Sequence, residues 1–146
     1  MNLGVIVVDA SLALKWHLPE AYSDEASTLL QEWRVHRVRL LAPILFTYEV
    51  TSALAKRVRF AELTVEQAIA RLEAILAGEV RFFRIETHHR RALELAARFG
   101  LTAAYDAHYL ALAESHQCEF WTADQRLWNS MKRELDWVRW LGEART

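Results

Sequence analysis

The sequence predicts an α/β fold, a parallel sheet flanked by helices, on three observations. Gly4-Val5-Ile6-Val7-Val8-Asp9-Ala10-Ser11 carries four consecutive β-branched residues without alternation, the pattern of a strand buried on both faces. Four further segments of strand character follow, each separated from the last by one or two helical segments. That spacing suits right-handed crossovers between parallel strands. Only four glycines and two prolines occur, so long loops are scarce and helices carry most connections.

The elements read in order as follows. The first strand ends on Asp9, and Ser11 is a candidate cap for a short helix reaching about Leu18, before Pro19. Ser23-Asp24-Glu25 open a second helix whose inward stripe is Ala26, Leu29, Leu30 and Trp33. Arg39-Leu40-Leu41-Ala42 is a strand closed by Pro43, and Ile44 to about Phe60 is helical with Leu45, Phe46, Val50, Ala53 and Leu54 inward. Thr64 caps a helix running to Gly78, with its apolar face at Ala68, Ile69, Leu72, Ile75 and Leu76. Val80–Ile85 is a strand, Thr87–Phe99 a helix stopped by Gly100, and Ala103 to about His116 another helix. Glu119–Thr122 is a strand, Gln125 to about Glu134 a helix, and Trp137–Leu141 the last strand. No repeat, low-complexity stretch or linker breaks the chain, so residues 1–146 read as one domain.

Composition narrows the function class. Apolar residues make up 53% and charged residues 25%, a globular balance that argues against disorder. A net charge of −1 excludes binding of nucleic acid by bulk positive charge, though not a local basic rim around an acidic centre. The single cysteine, Cys118, excludes an internal disulfide framework and a cysteine-based zinc knuckle, and fits a reducing compartment. No apolar run approaches the ~20 residues of a membrane span, and Met1-Asn2 lead directly into a strand. These features predict a cytoplasmic protein with no membrane association.

Four acids stand out. Asp9 and Asp124 each follow an apolar strand, and so belong at the carboxyl edge of the sheet, where α/β folds bind ligands. Asp106 falls in the first turn of a helix that leads back into the sheet, and Glu49 at the border of an apolar helix face. Singly, Asp124 reads as a helix N-cap, Asp106 as a complement to the helix dipole and Glu49 as a solvated helix residue. Together they carry more. Carboxylates converging within ~5 Å repel by ~3 kcal/mol per pair at an effective dielectric of 20. A divalent cation relieves that repulsion, and an all-oxygen donor set suits Mg²⁺ or Mn²⁺ rather than Zn²⁺.

Val7-Val8-Asp9-Ala10-Ser11-Leu12-Ala13-Leu14-Lys15-Trp16, Tyr48-Glu49-Val50, Tyr105 to Ala113 and Thr122-Ala123-Asp124 resemble the PIN-domain family, and within it the VapC-type toxins of toxin–antitoxin pairs. The resemblance spans nearly the whole chain and keeps the order Asp, Glu, Asp, Asp. It implies a PIN-like domain on a five-stranded parallel sheet and a metal-dependent endoribonuclease. It further implies an acidic metal site of Asp9, Glu49, Asp106 and Asp124, with Ser11 and Thr122 as supporting polar residues. The expected partners are an RNA substrate, a small VapB-like antitoxin whose tail enters the active-site groove, and a second copy of the chain.

Other residues read more plainly. Lys15 and Trp16 offer contacts to RNA backbone and base but read first as a snorkelling lysine and a packed tryptophan, and Lys56, Arg57 and Arg59 as a solvated face or a phosphate-binding rim. His88-His89-Arg90-Arg91 reads as solvent-facing, and His17, His36, His108 and His116 show no metal-ligand spacing. Trp121, Trp128, Trp137 and Trp140 read as core or dimer contacts, and Cys118 as a small buried residue. Two functional classes emerge: a Mg²⁺/Mn²⁺-dependent ribonuclease toxin whose metal-activated water attacks a phosphodiester in line, and a non-catalytic acidic pocket that binds or regulates a partner. A phosphoacceptor receiver domain fits worse, since the strand before Pro43 has no acid and no lysine follows Lys132.

Overall fold

The computed structural model describes residues 1–145. Five strands form one wholly parallel sheet: β1 (Val5–Val8), β2 (Arg39–Pro43), β3 (Val80–Phe83), β4 (Glu119–Thr122) and β5 (Val138–Trp140). Their order is β3-β2-β1-β4-β5. β1 is central because it is the most apolar strand, and all four of its residues are buried. Ile6 pairs with Leu40 on one side and Glu119 on the other, and Val8 pairs with Trp121. From β1 the chain moves outward to β2 and β3, then returns to the other flank of β1 as β4. The order therefore reverses between β1 and β4, whose carboxyl ends, Asp9 and Thr122, lie side by side at the switch point.

Among the described residues seven α-helices connect the strands: α1 (Ala10–Leu14), α2 (Ser23–Val35), α3 (Leu45–Arg59), α4 (Val65–Leu76), α5 (His88–Phe99), α6 (Tyr105–His116) and α7 (Gln125–Met131). A 3-10 turn, Leu141–Arg145, follows β5. The parallel five-stranded sheet flanked by helices is the expected fold class. Among the helices of twelve or more residues, α6 is the most deeply buried. Ala107 and the run Tyr109 to Ala113 are buried, and the helix packs on β1, β2, β4 and α5. A helix with so wide an apolar face is a core helix, and its first turn carries Asp106, whose charge reaches Asp9.

The expected inward stripes mostly bury. Ala26, Leu29, Leu30 and Trp33 are all inside, as are Phe46, Val50 and Leu54, while Leu45 and Ala53 are only partly covered. α4 departs from expectation. Ala68 and Ile75 are buried, but Ile69 and Leu76 are exposed because α4 packs on α3 along a narrower stripe than its sequence offers. α1 is shorter than expected. Beyond Leu14 the chain tightens into i→i+3 bonds, Lys15 N–H to Leu12, Trp16 N–H to Ala13 and His17 N–H to Leu14, before reaching Pro19. α7 likewise ends at Met131 rather than near Glu134, so that Leu135 can enter the core ahead of β5. Gly100 ends α5 with φ of 62°, the left-handed region that glycine adopts without strain.

Thr64 and Gln67 form a full capping box on α4, each side chain bonding the other's backbone N–H. Thr64→Ala should therefore lower unfolding free energy by about 1 kcal/mol. A urea titration should show this as a lower midpoint with an unchanged slope.

Candidate functional site

Asp9 ends β1 and caps α1, so one residue links the central strand to the first helix. Its Oδ1 accepts the Ser11 hydroxyl at 2.7 Å and the Leu12 N–H at 3.0 Å, and its Oδ2 accepts the Thr122 hydroxyl at 2.5 Å. This corrects the assignment of the cap: Asp9 caps α1, and Ser11, inside the helix, turns its hydroxyl back onto Asp9. The reason is backbone geometry. Asp9 is extended (φ −97°, ψ 172°), the conformation an N-cap requires, and its carboxylate outcompetes a hydroxyl for the free N–H. Ser11 Oγ in turn accepts the Ala123 N–H at 3.1 Å, and Thr122 Oγ1 accepts the Asp124 N–H at 3.0 Å. The turn after β1 and the turn after β4 are thus stitched together by two hydroxyls.

Asp9 is 5% exposed. Burial pushes its carboxyl up to about 7, against the pull of the Thr122 and Ser11 hydroxyls and the Leu12 N–H, and the Asp106 charge adds to the rise. Asp106, in the first turn of α6, is partly buried; burial raises its carboxyl and Asp124 raises it further. Glu49, on α3, is raised by burial and by Asp106, while a hydrogen bond from the Tyr109 hydroxyl at 2.5 Å holds it down. Asp106 therefore feels or influences each of the other three acids. Glu49 is not the solvated helix residue its position alone suggests.

Asp124 caps α7, with Oδ1 accepting the N–H groups of Arg126 and Leu127 at 2.9 and 3.3 Å. Tyr109 is a site residue that sequence reasoning missed, because within the apolar run of α6 it counts as core. It is indeed fully buried and stacks on Phe120, yet its hydroxyl reaches Glu49. Burial, then the charges of Glu49 and Asp9, push that phenol well above its ordinary range. The signal available in the sequence was a tyrosine among alanines and leucines, whose O–H must find a partner when buried.

Among the described residues, none of the four acids forms an ion pair with a lysine, arginine or histidine. Their donors are all carboxylate oxygens, the chemistry of a hard divalent cation. As the side chains stand, no three acidic or histidine side chains among the described residues close round one point as metal ligands. Oxygens on Asp9, Glu49 and Asp124 are already taken by hydroxyl and N–H donors. The chemistry of the donor set, all carboxylate oxygen with no thiolate, fits such a cation.

The remaining candidates resolve as follows. Trp16 packs edge-on against Trp33 and donates its indole N–H to the Ala26 carbonyl, and Lys15 pairs with Glu20 at 3.5 Å. Arg57 is held by Glu20 and Glu62, which removes it from a phosphate-binding rim, whereas Lys56 stays exposed. Trp121 is buried and Trp128, Trp137 and Trp140 pack on the core. In the run His88 to Arg91, His89 and Arg90 are exposed as expected, while His88 and Arg91 are half-buried. Arg91 is clamped by Glu114 and Glu94, and His89 Nδ1 lies 2.8 Å from His108 Nε2, because α5 packs closely along α6. No helix among the described residues is long and apolar enough to cross a membrane.

A family model described as the PIN domain matches residues 6–133. Among solved structures, the chain is similar to PAE2754 of Pyrobaculum aerophilum, with 25% identity and a TM-score of 0.68. That match covers 97% of this chain and 90% of the other. It also shares its fold with a chain of a toxin–antitoxin complex from Klebsiella pneumoniae, at 17% identity and a TM-score of 0.66, covering 91% and 94% of the two chains. No curated protein sequence matches.

The raised Asp9 carboxyl fixes a pH dependence. The folded protein holds this proton up to about pH 7, whereas the unfolded chain releases it near the ordinary 3.8, so folding takes up a proton between these values. Stability should fall as pH rises from about 4 to 7, and no further from this group above it; Glu49 and Asp106 act in the same direction. Urea midpoints measured in EDTA at pH 5 and pH 8 should show the loss. Asp9→Asn should flatten most of it.

Proposed function

The chain belongs to the PIN-domain family, and we propose that it is a Mg²⁺- or Mn²⁺-dependent endoribonuclease, the toxin of a toxin–antitoxin pair. The observation that carries this reading is Asp9: a buried carboxylate with no cationic partner, at the switch point of the sheet, electrostatically coupled to a second acid. Such a group costs stability unless its task is to meet a cation. Asp9, Asp106, Asp124 and Glu49 would hold the metal. A divalent cation bound there lowers the pKa of a coordinated water and offsets charge on a phosphodiester.

The chain's own residues supply the positioning. Ser11 and Thr122 fix the plane of the Asp9 carboxylate, and Tyr109 fixes Glu49 from inside α6. The cap bonds to Arg126 and Leu127 hold Asp124 at the start of α7. All four carboxylates are borne by strand ends and helices rather than by long loops, which supports a site of fixed geometry. The likeness of fold to a chain of a toxin–antitoxin complex supports an antitoxin as partner, and a homodimer belongs to the same reading.

Purified protein, freed of any bound partner as checked by mass, should cut total RNA at discrete positions with Mg²⁺ or Mn²⁺ and not with EDTA. Asp9→Asn should abolish the cuts while leaving the fold intact. Tyr109→Phe should lower the rate about 10- to 100-fold, the usual effect of losing a residue that orients a ligand. Absence of cleavage with every metal would favour a non-catalytic acidic pocket that binds or regulates a partner.

A further inference from the structure

The flank of α3 that carries Glu49 continues past it. At about 100° per residue, Ala53, Lys56 and Phe60 all fall within about 40° of Glu49 around the helix axis, so one flank runs acid, alanine, lysine, phenylalanine. With a rise of about 1.5 Å per residue, Lys56 stands about 10.5 Å and Phe60 about 16.5 Å along the axis from Glu49. α1, which Asp9 caps, packs against α3, and a groove of about 400 Å³ lies between them. Leu14 and Leu18 form its floor, and Ala53, Lys56 and Phe60 its α3 wall. Each wall therefore begins at a site acid, Asp9 on one side and Glu49 on the other.

Ion pairs build the remaining lining. Glu20 is bound by Lys15 and Arg57, and Glu62 by Arg57 at 2.7 Å. Two cations offset two carboxylates, so the excess charge comes from Lys56 and Arg59, which have no ion pair among the described residues. Phe60 is 58% exposed, with the Arg59 guanidinium 5.7 Å from its ring centre. The opposite flank of α3 differs in kind. There Thr51, Leu54 and Val58 meet Val65, Ile69 and Leu72 of α4 around a cavity with no charged lining residue. That flank suits an apolar protein segment, whereas a cation beside an exposed ring suits a polyanion that carries planar bases.

We propose that the groove between α1 and α3 is a distal RNA subsite, with Lys56 on a backbone phosphate and the Phe60 ring under a base a few nucleotides from the cut. The proposal rests on the ribonuclease reading and names the residues that hold the strand beyond the acids. Four carboxylates repel the backbone wherever no metal offsets them, so an anchor away from them draws the strand in. A phosphate contact positions without reading sequence, and a phenyl ring stacks on any base. The subsite therefore adds affinity and not base preference.

The test compares wild type with Lys56→Ala, Phe60→Ala and the double variant. Both positions are exposed, so thermal midpoints should be unchanged. Binding of a short fluorescein-labelled RNA of random sequence is measured in EDTA over a range of salt, and cleavage of total RNA is followed with Mn²⁺ at low and at saturating RNA. Phe60→Ala should weaken binding roughly fivefold or more and leave the salt dependence in place. Lys56→Ala should weaken binding and flatten the plot of log affinity against log salt by about 0.7, the share of one phosphate on a single strand. Cleavage by the double variant should slow at low RNA, approach the wild-type rate at saturation and keep its cut sites. Unchanged affinity and salt slope with cleavage intact would overturn the subsite and leave the nuclease standing. Loss of a co-purifying protein, with RNA affinity unchanged, would overturn it in favour of a protein partner. Weakened RNA binding where wild type cuts with no metal would remove the nuclease and keep the groove as an RNA site, and wild type that binds no RNA would end both.

Discussion

A carboxylate withdrawn from water at the end of the central strand is the constraint around which this molecule is arranged. Moving a carboxyl from 3.8 to about 7 disfavours its ionised form by about 4 kcal/mol. That figure is what remains after two hydroxyls and a backbone N–H have been brought to its oxygens. Ser11 and Thr122 are therefore structural and chemical at once. They satisfy Asp9, and through Ala123 and Asp124 they lock the turn after β4 against the turn after β1.

The second constraint is α6. A helix buried on nearly every side needs its residues small or apolar, and alanines at 107, 111 and 113 let it lie close against β1, β2 and β4. Two polar groups enter with it. Asp106 stays at the open end near the acids, and Tyr109, a turn further in, turns its hydroxyl to Glu49 on α3. The site is thereby built on packed elements rather than on loops, which gives positional precision at a cost in stability. The same first turn of α6 also walls the cavity beside Tyr105.

Hydroxyls and histidines show where sequence patterns mislead. Ser11 resembles a cap because serine commonly is one, but the preceding residue has both the extended backbone and the better acceptor. His108 is correctly placed away from Asp106 by helical periodicity, and that same displacement directs it to His89 on α5. Arg57 looks like a free cation on a helix face until Glu20, from the distant α1–α2 connection, reaches it. In each case the deciding partner lies far along the chain or depends on backbone angles that residue type does not reveal.

The sequence by itself determined the α/β class, the five strands, the central place of the first, and which acids stand at strand ends and helix starts. Those follow from local hydrophobic period and from turn chemistry, which short stretches encode completely. Only tertiary structure decided that β4 returns beside β1, that Asp9 is buried rather than solvated, and that Tyr109 belongs to Glu49. These depend on contacts between residues 60 to 113 positions apart, such as Tyr109 with Glu49 and Thr122 with Asp9. Burial, which sets the charge state of the acids, is a property of that assembly and not of any segment.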